Sequence, residues 1–159
     1  RDDVSLSGVE QLLNGHDHQG PLRNDWLSLY GYDAVARPSE TQRGADLSVQ
    51  QTLGAAYSTA NFASIQAADL PADHIGAELA FSGHLATMAA MTRREGEDLT
   101  RLGQQLRDFV GDHLAPLADG VVADTEKHAN TLTYKALVPL TRGYMAELRS
   151  FADFLATGK

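Results

Sequence analysis

Cysteine is absent from this chain of 159 residues. Disulfide bonds, thiolate nucleophiles, zinc knuckles and cysteine-ligated clusters are therefore excluded. Basic residues are scarce: 13 Lys and Arg stand against 21 Asp and Glu, and the formal net charge is −8. Nucleic-acid binding needs a basic face, so this balance argues against a nucleic-acid partner. It is compatible with a basic peptide partner, and equally with acidity that only keeps the protein in solution.

Long apolar runs and short catalytic motifs are missing as well. No apolar stretch approaches the roughly 18–20 residues of a membrane-spanning helix. Neither G-x-S-x-G nor a glycine-rich phosphate loop occurs, so a nucleophilic enzyme and a nucleotide-binding protein are both poorly supported. No alternating run of β-branched residues predicts a strand.

What the sequence does contain is helical periodicity along most of its length. We predict an all-α fold, a single helical-bundle domain over residues 1–159 with about six to seven helices. We expect Pro116 to end one helix, and Pro139 to kink or split the last one. The polar stretch 31–48 has no period, which is typical of a functional loop or a crossover connection. The predicted helices cover about residues 4–13, 22–30, 48–62, 70–91, 94–113, 117–127 and 129–156.

The stretch 70–91 is the one around which we expect the fold to be organised. Its apolar stripe is wide, and small residues along it would let another backbone or a guest peptide approach closely. Asp73 and His74 lie at its start, with Glu78 one turn further on. One interpretation is that Asp73 only offsets the positive end of the helix dipole. The stripe consists of Ile75, Leu79, Ser82 and Ala86, with Ala77, Phe81 and Leu85 close beside it.

Two functions are compatible with these residues. A binding module would hold a peptide in apolar pockets while carboxylates meet its basic residues. The alternative is a helical-bundle metal-binding protein or enzyme that uses His74, Glu78 and His84. His74 and Glu78 are four residues apart on one helical face, but the paired Glu-x-x-His motifs of carboxylate-bridged bundles are missing.

Several motifs in order resemble the TorD/DmsD/NarJ family of chaperones, over roughly residues 26–156. The segment PADHIGAELAF is similar to the family's Asp-His-Ile start followed by a Glu-Leu-x-Phe helix. RPSETQRG resembles a Pro-x-Glu-Thr loop that some members carry, and FVGDHLAPL resembles a Phe-x-x-x-His-Leu segment, with Leu117 where many members have Trp. The matching positions are Pro38, Glu40, Thr41, Pro71, Asp73, His74, Ile75, Glu78, Leu79, Phe81, Phe109, His113, Leu114 and Tyr134.

The resemblance implies a cytoplasmic, non-enzymatic chaperone without a cofactor of its own. Its partner would be the apo catalytic subunit of a molybdopterin oxidoreductase, held by its leader peptide, often a twin-arginine one, until the cofactor is inserted. We expect Asp73, Glu78 and Glu40 to supply charges at the rim of the peptide groove, and His74 to orient Asp73 or bond the peptide backbone. The full set of predicted peptide-binding residues is Asp73, His74, Glu78, Glu40, Pro38, Phe81, His113 and Tyr134.

The resemblance also gives expectations about chain organisation. Members usually begin with one or two further helices, and we expect part of these N-terminal helices to be missing here. Members can exchange helices between chains, so we expect a monomer or a helix-swapped homodimer, the latter permitted by the long 31–48 connection. A simple helical scaffold or dimerisation module is a third interpretation.

Overall fold

The structure is a computed structural model that describes residues 3–14, 17–31, 34–63, 69–95 and 98–157. The prediction of an all-α fold is confirmed: helices account for 79% of the structure, and the described ranges contain no strand. The helices are α1 (Asp3–Asn14), α2 (Gln19–Tyr30), α3 (Ser48–Thr59), α4 (Ile75–Glu95), α5 (Thr100–Phe109), α6 (Ala115–His128) and α7 (Leu132–Thr157). A short 3-10 turn covers Thr41–Arg43.

The chain divides into two compact units. The first comprises residues 1–37 and 118–147, and the second comprises residues 38–117 and 148–159. The expectation of a single domain stays a prediction. Among the described residues, no helix is long and apolar enough to cross a membrane.

In the first unit, two aspartates hold the start of α7. Asp25 is buried, and its carboxylate accepts hydrogen bonds from the backbone N–H groups of Asn130 and Thr131 and from the Thr131 hydroxyl, at 2.7–3.1 Å. Asp17 accepts two more from Thr133, at 2.7 and 2.8 Å. The first backbone N–H groups of a helix have no partner within it, so these side chains supply the missing acceptors.

In the second unit, α4 packs against α5 and the turn that follows α5. The inward face of α4 consists of Ala77, Glu78, Phe81, Ser82, Leu85 and Ala89. The predicted stripe was therefore only partly right, because Ile75, Leu79 and Ala86 are half-exposed and Glu78 lies on the buried face. On α5, Gly103 brings its backbone so close to α7 that a Cβ there would lie 2.4 Å from the Ala156 nitrogen.

The predicted break at Pro116 was wrong. Residues Val110–Leu114 form a π-helical turn, and α5 continues through this turn into α6. The Ala115 N–H bonds the carbonyl of Val110, five residues back. Proline lacks an N–H, and its ring clashes with the preceding turn of an α-helix. The wider π turn leaves room for the ring and does not need the missing N–H. Pro139 likewise lies inside an unbroken α7, which is not split in two.

Several helix starts differ from the predictions. Helix α4 begins at Ile75 rather than near Leu70, because Pro71 belongs to the preceding turn, where its carbonyl accepts the His74 N–H at 3.0 Å. Helix α1 begins at Asp3, ahead of Gly8 where a Ser-x-x-Glu capping box would have started it. The similar motif from Thr92 to Glu95 lies inside the last turns of α4.

Candidate functional site

The loop before α3 and the start of α4 are joined by main-chain hydrogen bonds. The Pro38 carbonyl accepts the Ile75 N–H at 2.8 Å, and the Asp73 carbonyl accepts the Glu40 N–H at 3.1 Å. Part of the stretch 31–48, predicted to be a functional loop or a crossover, is thus tied to the organising helix. This junction brings the acidic residues of two separate motifs together.

Asp73 is fully buried, and its carboxylate binds the loop before α3. One oxygen, Oδ2, accepts hydrogen bonds from the Thr41 backbone N–H at 2.8 Å and from the Thr41 hydroxyl at 2.6 Å. The other oxygen, Oδ1, has no hydrogen-bond partner. Asp73 therefore holds the start of the 3-10 turn in place.

His74 stabilises the first turn of α4. Its Nδ1 accepts a hydrogen bond from the Gly76 N–H at 3.0 Å, and its carbonyl accepts the N–H groups of Ala77 and Glu78. Burial lowers the pKa of His74, against the opposing effect of the Asp73 charge. The ring accepts its hydrogen bond from the Gly76 N–H, so the structure does not support our expectation that His74 orients Asp73.

Glu78 is the unusual residue of the cluster. Its side chain is fully buried, and no donor group faces either carboxyl oxygen; only the protonated form can share a hydrogen bond, with Glu40. Burial raises its pKa to about 9, and the neighbouring carboxyls of Glu40 and Asp73 add to the increase. Glu78 therefore carries a proton at neutral pH, because an isolated buried carboxylate would be far too costly.

Glu40 connects this cluster to the π turn. Its Oε1 accepts a hydrogen bond from His113 Nδ1 at 2.9 Å, and both side chains are mostly buried, at 17% and 23% exposure. The Glu40 charge is the largest neighbouring influence on Glu78 after burial itself. The π turn that carries His113 thus meets the loop that carries Glu40, a placement of π turns that is frequent at functional sites.

Aromatic rings pack beside the acidic cluster. Phe81 lies 4.6 Å from Tyr57 and 4.9 Å from Phe109, measured between ring centroids. The Tyr57 hydroxyl donates a hydrogen bond to the Ala72 carbonyl at 2.7 Å. Burial raises the pKa of Tyr57, and the carboxyls of Glu78, Glu40 and Asp73 raise it further. Aromatic pairs of this geometry stabilise a core beyond the area that they bury.

A pocket of about 270 Å³ opens beside these rings. Phe81, Phe109 and Leu53 in its wall are almost fully buried, whereas Asp108 and Asp112 are exposed. The pocket is lined by Thr52, Leu53, Ala56, Phe81, Gln105, Asp108, Phe109, Asp112 and His113. Sequence reasoning missed the two aspartates. The two aspartates are four residues apart in the sequence, with Phe109 between them, so they lie on one face of a helix. This spacing is the signal that could have found them.

The structure gathers seven of the eight predicted site residues in the second unit: Pro38, Glu40, Asp73, His74, Glu78, Phe81 and His113. Tyr134 belongs to the first unit, where its ring packs against Tyr30 with centroids 5.8 Å apart. Placing Asp73 and Glu78 as charges at a groove rim was wrong, because both side chains are fully buried and Glu78 is protonated. Peptide binding by these residues stays a prediction.

The alternative metal site gains no support from this geometry. Within the described ranges, no group of three or more His, Asp and Glu side chains is placed to hold a metal ion. His74 Nδ1 accepts the Gly76 N–H, and His84 Nε2 lies 2.9 Å from the Ala60 carbonyl. These two rings are therefore engaged by backbone groups.

Comparison with known proteins gives one match. Residues 26–123 match the family described as nitrate reductase delta subunit, which covers more than half of the chain. The matched range includes the acidic cluster, the aromatic rings and the pocket. Comparisons with curated proteins and with solved structures found no match.

Proposed function

Because this chain belongs to the nitrate reductase delta subunit family, the TorD/DmsD/NarJ-type chaperones of molybdoenzyme maturation, we propose that it binds an immature molybdoenzyme subunit by its leader peptide. The client is the apo catalytic subunit of a molybdopterin oxidoreductase. The chaperone holds this subunit in the cytoplasm and delays its export or assembly until the cofactor has been inserted. The role requires binding and release, and no covalent chemistry.

The pocket beside the acidic cluster is the observation that best supports this proposal. It combines an aromatic wall from Phe81 and Phe109 with exposed carboxylates at Asp108 and Asp112. A leader peptide carries apolar residues beside basic ones, so it complements such a surface in both respects. The net charge of −8 favours the approach of a basic segment.

The hydrogen bond between Glu40 and His113 supports the same assignment. It joins two chain segments that both belong to the resemblance, the loop at 38–45 and the π turn. Since His113 also lines the pocket, the acidic cluster is connected directly to the pocket wall.

A titration with a synthetic leader peptide tests the proposal. The peptide is the leader of a molybdopterin catalytic subunit encoded in the same genome, and isothermal titration calorimetry measures its binding. We expect a one-to-one complex with the peptide and with the apo subunit, and no complex with a subunit from which the leader has been removed. If neither the peptide nor the apo subunit binds, the proposal is wrong.

A deletion strain tests the role in maturation. Without the chaperone, we expect the catalytic subunit to accumulate with little molybdenum, measured by mass spectrometry of the purified subunit. Expression of the chain in the same strain should restore the metal content. A subunit that is fully loaded in the deletion strain would contradict a role in cofactor insertion.

A further inference from the structure

The pocket of the second unit has two kinds of wall, and the difference indicates what it takes up. Leu53, Phe81 and Phe109 are at most 7% exposed, so the inner wall is apolar. Asp108 and Asp112 are exposed and therefore lie where the pocket meets solvent. An occupant must be apolar along its length and polar at its end.

The two aspartates are available to an incoming group. The nearest cation to Asp108 is Arg107, at 3.6 Å, and both side chains of this pair are about half or more exposed to solvent. Exposed pairs of this kind contribute little and exchange readily. Asp112 has no hydrogen bond or ion pair among the described residues.

Glu40 adds to the charge that an occupant meets. Its carboxylate accepts a hydrogen bond from His113, which lines the pocket. Together with the exposed aspartates, it makes this side of the unit attractive to a cation and unfavourable for a second acid. An entirely apolar occupant would desolvate Asp108 and Asp112 without replacing their water, which costs free energy.

We propose that this pocket receives one basic side chain of the client's leader peptide, with its aliphatic stem against Phe81 and Phe109 and its charge between Asp108 and Asp112. This inference rests on the proposed function, and it assigns the recognition of charge to residues outside the predicted site. A volume of about 270 Å³ accommodates a single long side chain. Arginine and lysine both cover apolar surface with their stems and keep their charge at the solvent edge, and aromatic rings favour a nearby cation.

The test uses the synthetic leader peptide described above and a set of peptides in which each basic residue is replaced by glutamine. Combining Asp108→Asn with Asp112→Asn should weaken binding of the native peptide by roughly tenfold or more, since charge-assisted hydrogen bonds are lost. The affinity should also become less dependent on salt. One glutamine peptide should bind the wild-type protein and the double variant equally well.

Controls separate this inference from the proposed function. Asp153→Asn removes the same charge from an exposed site on α7 of the same unit that does not line the pocket, and it should leave the affinity within about twofold because water screens an exposed charge that does not touch the occupant. Circular dichroism should show native folding for every variant, because the aspartates are exposed. In the reverse experiment, Asp112→Lys should restore binding of a peptide whose critical basic residue has been changed to glutamate.

The outcomes are distinct. If the wild-type protein binds no leader peptide, the proposed function itself fails. If it binds the peptide and the folded double variant binds equally tightly, the function stands and this pocket assignment is overturned. Equal losses for the double variant and for Asp153→Asn would also overturn it, because the effect would then reflect only overall charge.

Discussion

Asp25 in the first unit and Glu78 in the second are both buried, but their pKa values are shifted in opposite directions. Asp25 accepts hydrogen bonds from Asn130 and Thr131. Burial opposes its ionisation, but these hydrogen bonds together hold its pKa below the usual range. No donor group faces the carboxyl oxygens of Glu78, whose pKa rises to about 9.

The comparison distinguishes a carboxylate that stabilises the folded state from a carboxyl group whose burial destabilises it. Asp25 completes the start of a helix, and folding benefits from its charge. Glu78 gives up its charge on folding because it is buried beside the carboxyls of Glu40 and Asp73, so it opposes folding above its ordinary pKa. A carboxyl group whose pKa is strongly raised by burial and by neighbouring acids is a candidate functional residue, so the comparison favours Glu78 over Asp25 as a residue kept for function.

The largest expected effect comes from removing the paired carboxylate. Asp25→Ala should lower the free energy of unfolding by roughly 3 kcal/mol, because it deletes a charged acceptor and leaves the N–H groups of Asn130 and Thr131, just before α7, unpaired. Urea unfolding at pH 7 measures the change. A loss below about 1 kcal/mol would mean that water replaces the carboxylate as the acceptor. Asp25 would then not be a stabilising residue, and the contrast with Glu78 would be contradicted.

Two glycine substitutions test how tightly the helices of the second unit pack. Gly103→Ala places a methyl group 2.4 Å from backbone atoms of Leu155 and Ala156 and should cost roughly 1–3 kcal/mol. Gly83→Ala, on α4, meets nothing within 4 Å and should stabilise by about 0.5–1 kcal/mol through helix propensity. Thermal unfolding of both variants measures the difference. Equal melting temperatures would show that α5 and α7 are not in close contact.

The pH dependence of stability sharpens the comparison between the two acids. Glu78 has its pKa raised from 4.5 to about 9, so the folded state keeps a proton that the unfolded state releases between these values. Stability from this residue is fully present below pH 4.5 and is lost as the pH rises towards 9. Glu78→Gln should be nearly neutral at low pH and increasingly stabilising as the pH rises, measured by urea unfolding.

Asp25 should show the opposite dependence. Its pKa is lowered from 3.8, so the stability it provides is present above that value and is lost as the pH falls through the folded-state pKa. Asp25→Asn should therefore flatten the acid limb of the stability profile, while Glu78→Gln flattens the alkaline limb. A single variant that flattened both limbs would contradict the separate roles.

The smallest expected effect concerns an exposed ion pair in the first unit. Glu126 and Arg142 form two hydrogen bonds at 2.6 and 2.9 Å, and both side chains are about half exposed. Glu126→Gln should change the free energy of unfolding only slightly, and far less than Asp25→Ala does, since water screens such pairs. Urea unfolding at pH 7 measures it. A loss as large as that of Asp25→Ala would mean that pairing matters more than burial.

Helical periodicity was enough to predict the fold class and the approximate position of the helices, but only part of the buried face of α4. It was insufficient at prolines, where Pro116 lies beyond a π turn and Pro139 lies inside a continuous helix. A missing N–H is a local fact, but whether a wider turn accommodates it depends on the packing of the flanking residues. The motif around Asp73 and His74 was recognised correctly, but not that the Asp73 side chain holds the loop and the His74 side chain holds the helix start.

The order of apolar and polar residues along the chain decided by itself that the protein is helical, acidic and a member of its family, because periodicity, charge and motif spacing are local properties. Only the tertiary structure decided that Glu78 is sealed and protonated while Asp108 and Asp112 face solvent. Burial and hydrogen-bond partners come from residues distant in sequence, such as Thr41 for Asp73 and Glu40 for His113. The charge that a carboxyl group carries follows from those partners and cannot be assigned from the residue type.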